Sequence, residues 1–206
     1  MKRLDDPGSR QTIGGFVNGM PDWLGPAFRY CSRCGSALVH GQVTGEDRSR
    51  HHCPECGFIS YVNPRIVVSA LPITEAGELV LLRRGIVPGY GAWAQPGGYL
   101  EADETAIQGA IRETREETRL DIEISDIVGI YSRPHAGVVV VAYRARIVGG
   151  TMSPTPEALE VRPFKVEEIP WSELAFNTTL WAVRDWVRSV RPELDVDTLG
   201  DESFDR

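Results

Sequence analysis

Glu113, Glu116 and Glu117 stand within one short stretch, PGGYLEADETAIQGAIRETREETRL, Pro96 to Leu120. On a helix turning about 100° per residue, all three fall on an arc of roughly 100°. Like charges at that spacing repel, and a helix that needed only to dissolve would alternate its signs. A divalent cation among them removes the repulsion. Hard ions such as Mg²⁺ or Mn²⁺ take oxygen ligands and bridge to substrate phosphates. A solvated acidic face is the ordinary meaning of a charge run. Three neighbours favour a site instead: the Pro96-Gly97-Gly98 turn before it, Gly109 inside the acidic arc one turn before Glu113, and Arg112 beside Glu113.

Cys31-x2-Cys34 and Cys53-x2-Cys56 form the second chemical group. Two such turns supply four thiolates, which suits a closed, structural Zn²⁺ tetrahedron. Gly35 and Gly57 each follow the second cysteine of a pair, where a knuckle needs positive φ. Buried free thiols or two redox pairs are the competing readings. His40, His51 and His52 lie between the pairs and are read as surface residues rather than ligands. Arg29, Arg33, Arg48 and Arg50 give this segment some positive charge, diluted by Glu46, Asp47 and Glu55.

The elements that must position these groups follow from periodicity. Residues 65–73, RIVVSALPI, predict a strand, EAG a turn, and 78–84 a second strand, together a hairpin. A helix is expected over 104–118, with Asp103 as N-cap and Glu104 in its first turn. Its packing side would carry Ile107, Ile111 and Thr114, with Ala106 and Ala110 at the near edge. Residues 120–132 alternate as a half-buried strand, 137–147 form another, and VRPFKV a short one after the loop SPTPEALE. TTLWAVRDWVRSV, 178–190, predicts an amphipathic helix. The fold class is mixed α/β. Four segments are expected: a flexible arm over 1–28, a zinc-binding module over 29–62, the main domain over 63–190, and an acidic, frayed tail over 191–206.

With 42% hydrophobic and 25% charged residues, the 206-residue chain has a globular balance rather than a disordered one. A net charge of −7 argues against a general binder of nucleic acid or anionic membrane. No apolar run approaches a membrane span, and the first residues lack the apolar core of a secretion signal, so a cytoplasmic protein is expected.

The spacing Gly98-x5-Glu104-x7-Arg112-Glu113-x2-Glu116-Glu117 resembles the Nudix box of the Nudix hydrolases. YCSRCG…CPECGFISYVNPRIVVSALP, GYGAWAQPGGYLE and PEALEVRPFKVEEIPWSELAF are similar to the zinc-ribbon branch of that family associated with FAD and ADP-ribose diphosphatases. The resemblance implies an α/β/α sandwich with a mixed sheet, preceded by a zinc ribbon. It further implies hydrolysis of a nucleoside diphosphate linked to another group, with Mg²⁺ or Mn²⁺. On it, Glu113, Glu116, Glu117 and the Gly97 carbonyl match metal ligands. Glu104 matches the residue that orients or deprotonates water, and Arg112 the arginine that holds the glutamates. A later loop glutamate is expected from Glu157 or Glu160, with Glu160 preferred.

The chain departs from the box at Arg119, where a glycine would close the helix in the left-handed conformation. A locally altered helix end is therefore expected. For substrate, Tyr90, Tyr99, Trp93 and Tyr131 are candidate base-stacking residues, with a core role favoured for Trp93. Arg65, Arg83 and Arg133 are candidate phosphate contacts. ADP-ribose ranks first, FAD second and NADH third, because IYSRPHAGVVVVAY replaces the signature of the NADH branch. A non-catalytic nucleotide-sensing or RNA-binding module is the alternative class. Many relatives in the family form homodimers, so a homodimer is a further expectation, with the tryptophan-bearing last helix a candidate contact.

Overall fold

The computed structural model describes residues 28–200, together with the backbone of two short strands, β1 (Phe16–Val17) and β2 (Met20–Pro21), which pair antiparallel. The expected flexible arm lies almost wholly outside the described residues. These fall into two compact units, one of residues up to Pro64 with Pro134–Gly137, the other of Arg65–Arg133 with the chain from Val138 onward.

In the first unit, β3 (Val39–Gly41), β4 (Arg50–His52) and β5 (Ile59–Ser60) form a three-stranded antiparallel sheet. Two- and three-residue ladders leave no periodicity, so these strands are not legible in the residue order. His40 and His51 are partners across β3 and β4, with ring centroids 4.8 Å apart. The histidines are thus half-buried ladder residues, not freely exposed ones.

The second unit is built on a seven-stranded sheet. Its strands are β6 (Arg65–Ile73), β7 (Leu79–Arg84), β8 (Trp93–Ala94), β9 (Gly97–Tyr99), β10 (Leu120–Arg133), β11 (Val138–Gly150) and β12 (Ala158–Phe164). The main order is β10-β11-β6-β7-β12, with β11 parallel to β6 and the other pairs antiparallel. The hairpin of β6 and β7 is registered only beside its turn, at Ile73↔Leu79. Farther along, the two strands take different partners: β9 pairs with β6 and β8 with β7. The glycine-rich segment therefore enters where the hairpin opens, and sequence periodicity could not show such short strands.

Both faces of the central strands are buried, which explains their continuous apolar runs. Alternation sends Ala70 and Val80 to one face, with Leu120, Ile122 and Ala145. It sends Leu71, Leu79 and Leu81 to the other, with Trp93, Phe164 and the buried side of α2 (Asn177–Val190). The first face is covered by α1 (Ala106–Thr118), whose Gly109 lies against Val68. Two helices on opposite faces of a mixed sheet make the expected sandwich.

Three local expectations are corrected. The cap of α1 is Thr105, not Asp103: Thr105 and Gln108 bond each other's backbone reciprocally, a capping box. Ile107 is 47% exposed, and the buried side is Gly109, Ala110, Thr114, Glu117 and Thr118, because the helix packs through its glycine. Residues 191–200 do not fray: Val196 is buried in the α2-side core, and the Leu199 carbonyl accepts from Arg184. In addition, β12 begins at Ala158, inside the stretch read as loop.

Candidate active site

Backbone close approach sets up the acidic cluster. A Cβ on Gly97 would stand 2.5 Å from the Val68 carbonyl oxygen, and one on Gly98 2.5 Å from the Glu113 carboxyl group. At Gly97 the neighbour is strand backbone, which excludes a side chain; at Gly98 a side chain would displace the Glu113 carboxylate from its position. Glu117 turns beneath the same turn and accepts the Gly97 N–H at 2.8 Å.

Arg112 gathers the remaining acids. Its Nε and Nη2 donate to the two oxygens of Glu104 at 3.0 and 2.7 Å, a bidentate pair. Its Nη1 donates to Glu113 at 2.6 Å and to Glu116 at 3.1 Å, and its Nη2 also to the Tyr99 carbonyl at 3.2 Å. Glu104 additionally accepts the Glu101 N–H at 3.0 Å. The Arg112 bonds, chiefly, hold the Glu104 carboxyl down at about 2. With both oxygens on Arg112, the Glu104 carboxylate braces the arginine.

Burial acts the other way on the inner acids. Glu117 is pushed up to about 7, first by desolvation, against the restraint of the Gly97 N–H, with Glu113 and Glu157 adding like charge. Glu113 is also raised, again by burial first. The side chain of Glu116 is 58% exposed. A divalent cation suits this donor set: hard oxygen ligands, two of them disfavouring their charged state until a cation offsets it.

The two candidate loop acids are placed differently. Glu160 is registered opposite Arg83 and shares the α2 side of the sheet with Arg162 and Phe164, whereas α1 lies on the other side. Glu157 is the acid whose charge reaches Glu117 and Arg84. Its carbonyl accepts the Gly85 N–H at 2.7 Å.

The candidate substrate residues do not form one group. Arg65 lies over the Tyr99 ring at 4.6 Å, and Arg133, Val138 and Arg65 stand in one row across β10, β11 and β6. Tyr99 alternates with Gly98 and so faces away from the side Glu113 approaches. Arg83 is exposed and donates to the Gly91 carbonyl. Tyr90 is 64% exposed on the β7–β8 loop. Trp93 is core, edge-on to Phe164. Tyr131 donates to Asp185 at 2.7 Å beside Trp181, which commits it to α2. Arg84, and not its neighbour Arg83, is the half-buried arginine within the field of the acids. Only strand register distinguishes the two.

At the helix end, Arg119 keeps the left-handed conformation, φ 63°, and its N–H reaches the Arg115 carbonyl. The expected alteration is absent. Arg119 is exposed, so its side chain meets no packing penalty beyond about 1 kcal/mol of backbone strain. Thr114 returns its hydroxyl to the Ala110 carbonyl, as expected for a small polar residue in the packed side.

In the first unit, the four cysteine sulfurs lie within 4.8 Å of one another, the one such ligand group among the described residues. Cys31–Cys56 and Cys34–Cys53 are 3.7 and 3.5 Å apart. A tetrahedron of Zn–S bonds has edges of about 3.8 Å, so zinc fits this set. Gly35 and Gly57 have φ of 78° and 71°, and their N–H groups bond the Cys31 and Cys53 carbonyls, closing each knuckle.

Family comparison agrees with both units. The NUDIX domain model matches residues 63–187, and the zinc-ribbon model described as Nudix N-terminal matches 29–62. The chain belongs to the Nudix family. A Nudix hydrolase structure from Nitrosomonas europaea is 35% identical, covering 80% of this chain and 93% of its own, with a TM-score of 0.73. An ADP-ribose pyrophosphatase of Methanocaldococcus jannaschii is 28% identical over 62% of this chain and 76% of its own length. An NAD-capped RNA hydrolase, NudC, of Stutzerimonas stutzeri is 29% identical over 76% of this chain, which spans 54% of that relative. Among the described residues, no helix is long and apolar enough to cross a membrane.

Proposed function

We propose that the chain hydrolyses the pyrophosphate bond of a nucleoside diphosphate-linked substrate, ADP-ribose first and FAD second, with Mg²⁺ or Mn²⁺. The carrying observation is the acid cluster of α1, with buried Glu117 on the Gly97 N–H and Arg112 holding Glu104, Glu113 and Glu116. Glu113, Glu116, Glu117 and the Gly97 carbonyl would hold the metal, with Glu157 as the loop acid. A divalent ion bound there supplies charge neutralisation, orientation and a more acidic water. Arg112 orients the acids, and Glu104 fixes Arg112. Glu116, the most open of the three helix acids, is suited to accept a proton from the attacking water. The bond from water oxygen to one phosphorus forms as the bridging oxygen leaves with the other phosphate, giving AMP and ribose 5-phosphate from ADP-ribose. Residues 29–62 would act as a structural zinc module that precedes the 63–190 catalytic domain in the chain.

The resemblance to a protein named ADP-ribose pyrophosphatase supports that ranking. A second reading, hydrolysis of NADH or an NAD-type end, rests on the resemblance to NAD-capped RNA hydrolases. Incubation with Mg²⁺ and equal concentrations of ADP-ribose, FAD and NADH, with AMP release as readout, tests both. AMP fastest from ADP-ribose is expected; AMP fastest from NADH moves the reading to the second. No AMP from any of the three would sink both.

A further inference from the structure

Arg84 ends β7 and, by alternation from Val80, lies on the sheet face that α1 covers. Its guanidinium is held without being neutralised. Nε donates to the Pro88 carbonyl at 2.8 Å, and the group lies 5.0 Å from the Phe176 ring centre. The loop between β7 and β8 is shaped around it. A Cβ on Gly89 would stand 3.4 Å from Arg84 Cδ and Nε, and 3.1 Å from Ala175 Cβ. The Arg84 carbonyl also accepts the Gly91 N–H at 2.8 Å, closing the loop on its own root. Among the described residues, neither Nη of Arg84 donates to a protein acceptor, and no carboxylate lies within 4.0 Å of it. Burial lowers its basicity, and the charges of Glu117 and Glu157 only partly offset that cost.

A half-buried guanidinium, aimed by one carbonyl and stacked on one ring, with both terminal nitrogens unspent, is an unfinished ion pair. The nearby acids are claimed by a metal in the proposed function, on which this step rests. A second anion must then answer Arg84. We infer that Arg84 binds the phosphate oxygens of the substrate's diphosphate through its two Nη groups, and that Pro88, Gly89 and Phe176 position it for that role. A planar fork matches two phosphate oxygens, whereas a lysine offers only a point charge. Arg83, one residue away, points to the other face with its Nε on Gly91.

Titration calorimetry of Mg²⁺-loaded protein with ADP tests this without requiring turnover, so it fails separately from the hydrolysis reading. Arg84→Ala should weaken ADP binding about 10- to 100-fold, the worth of charge-assisted hydrogen bonds. Arg84→Lys should recover only part, and added guanidinium ion should partly rescue Arg84→Ala. Arg146→Ala, which breaks an exposed pair with Glu123, serves as the control that keeps wild-type binding. Mn²⁺ binding followed by paramagnetic resonance should persist in Arg84→Ala. If the alanine variant misfolds by circular dichroism, Phe176→Leu, which leaves the arginine but removes its stacking ring, should still weaken ADP binding severalfold. ADP affinity unchanged in Arg84→Ala, or Mn²⁺ and ADP affinities falling by the same factor, would overturn the inference.

Discussion

The sulfurs of Cys31, Cys34, Cys53 and Cys56 converge within 4.8 Å, whereas the acids of α1 are drawn in different directions by Arg112 and the Gly97 N–H. Both sets fit a divalent ion, but they reach that state differently. Each cysteine pair is shaped by a local knuckle whose glycine and backbone bonds lie within five residues. Only the docking of one knuckle on the other is long-range. The carboxylates depend more on tertiary structure: the turn from β9, the strand beneath Gly109, and an arginine that ties two acids of its own helix to Glu104 outside it. A closed set of ligands suits a structural ion. Acids restrained by an exchangeable arginine and one backbone donor suit an ion that must also meet a substrate.

That contrast can be broken most forcefully at the sulfurs. Removal of zinc by a strong chelator, or Cys31→Ser, should unfold the 29–62 unit, because binding free energies of roughly 10 kcal/mol or more hold such modules. Metal analysis should give one zinc per chain before treatment, and loss of its resonance dispersion should accompany release. A folded ribbon without zinc would equate the two regions.

On the acid side, Glu116→Gln should lower turnover of ADP-ribose by roughly 10²–10⁴-fold while binding persists. Equal loss from substituting an exposed acid such as Glu101 would instead mark a general charge effect.

Glu117 sharpens the comparison through pH. Its carboxyl titrates at about 7 in the fold, against an ordinary 4.5. As pH rises, the unfolded chain loses this proton first, so the folded state holds more protons between the two values. Without Mg²⁺ or Mn²⁺, this group's contribution to stability is present below about pH 4.5 and falls by about 3 kcal/mol as pH rises to 7. Thermal melts across that range should show the decline. Glu117→Gln should flatten it, and saturating Mn²⁺ should oppose it. A slope unchanged by Glu117→Gln would show that another group carries the effect.

The smallest effect concerns the end of α1. Arg119→Gly should add about 1 kcal/mol of stability by relieving the left-handed conformation, measurable as a rise of a few degrees in Tm, with activity retained. A lower Tm would mean that the Arg119 side chain contributes more than its backbone costs.

Much of this was readable from residue order. β6, β7, β10, β11 and both long helices follow from runs and periods that span at least a turn of helix or several strand residues. The box residues and cysteine knuckles declare themselves by spacing. Most of the misses share a cause in short or nonlocal contacts. Strands β3–β5, β8 and β9 are too short for a period. Thr105 rather than Asp103 caps α1 because Gln108, three residues on, completes a capping box, a local signal that the residue order does carry. The helical arc puts Ile107 on the packing side with Ile111 and Thr114, but Gly109 lets the helix approach Val68 by a neighbouring side. Tyr131 was free to be a ligand contact until α2 brought Asp185 to its hydroxyl.

The amino-acid order by itself determined which groups could bind metal, where the glycines must be, and which stretches would be strand or helix, since these depend on neighbours a few residues apart. Tertiary structure decided that Arg84 rather than Arg83 lies on the face that α1 covers, and that Glu160 lies on the opposite one. Adjacent strand residues point to opposite faces, and only the packed sheet establishes which face the helix covers.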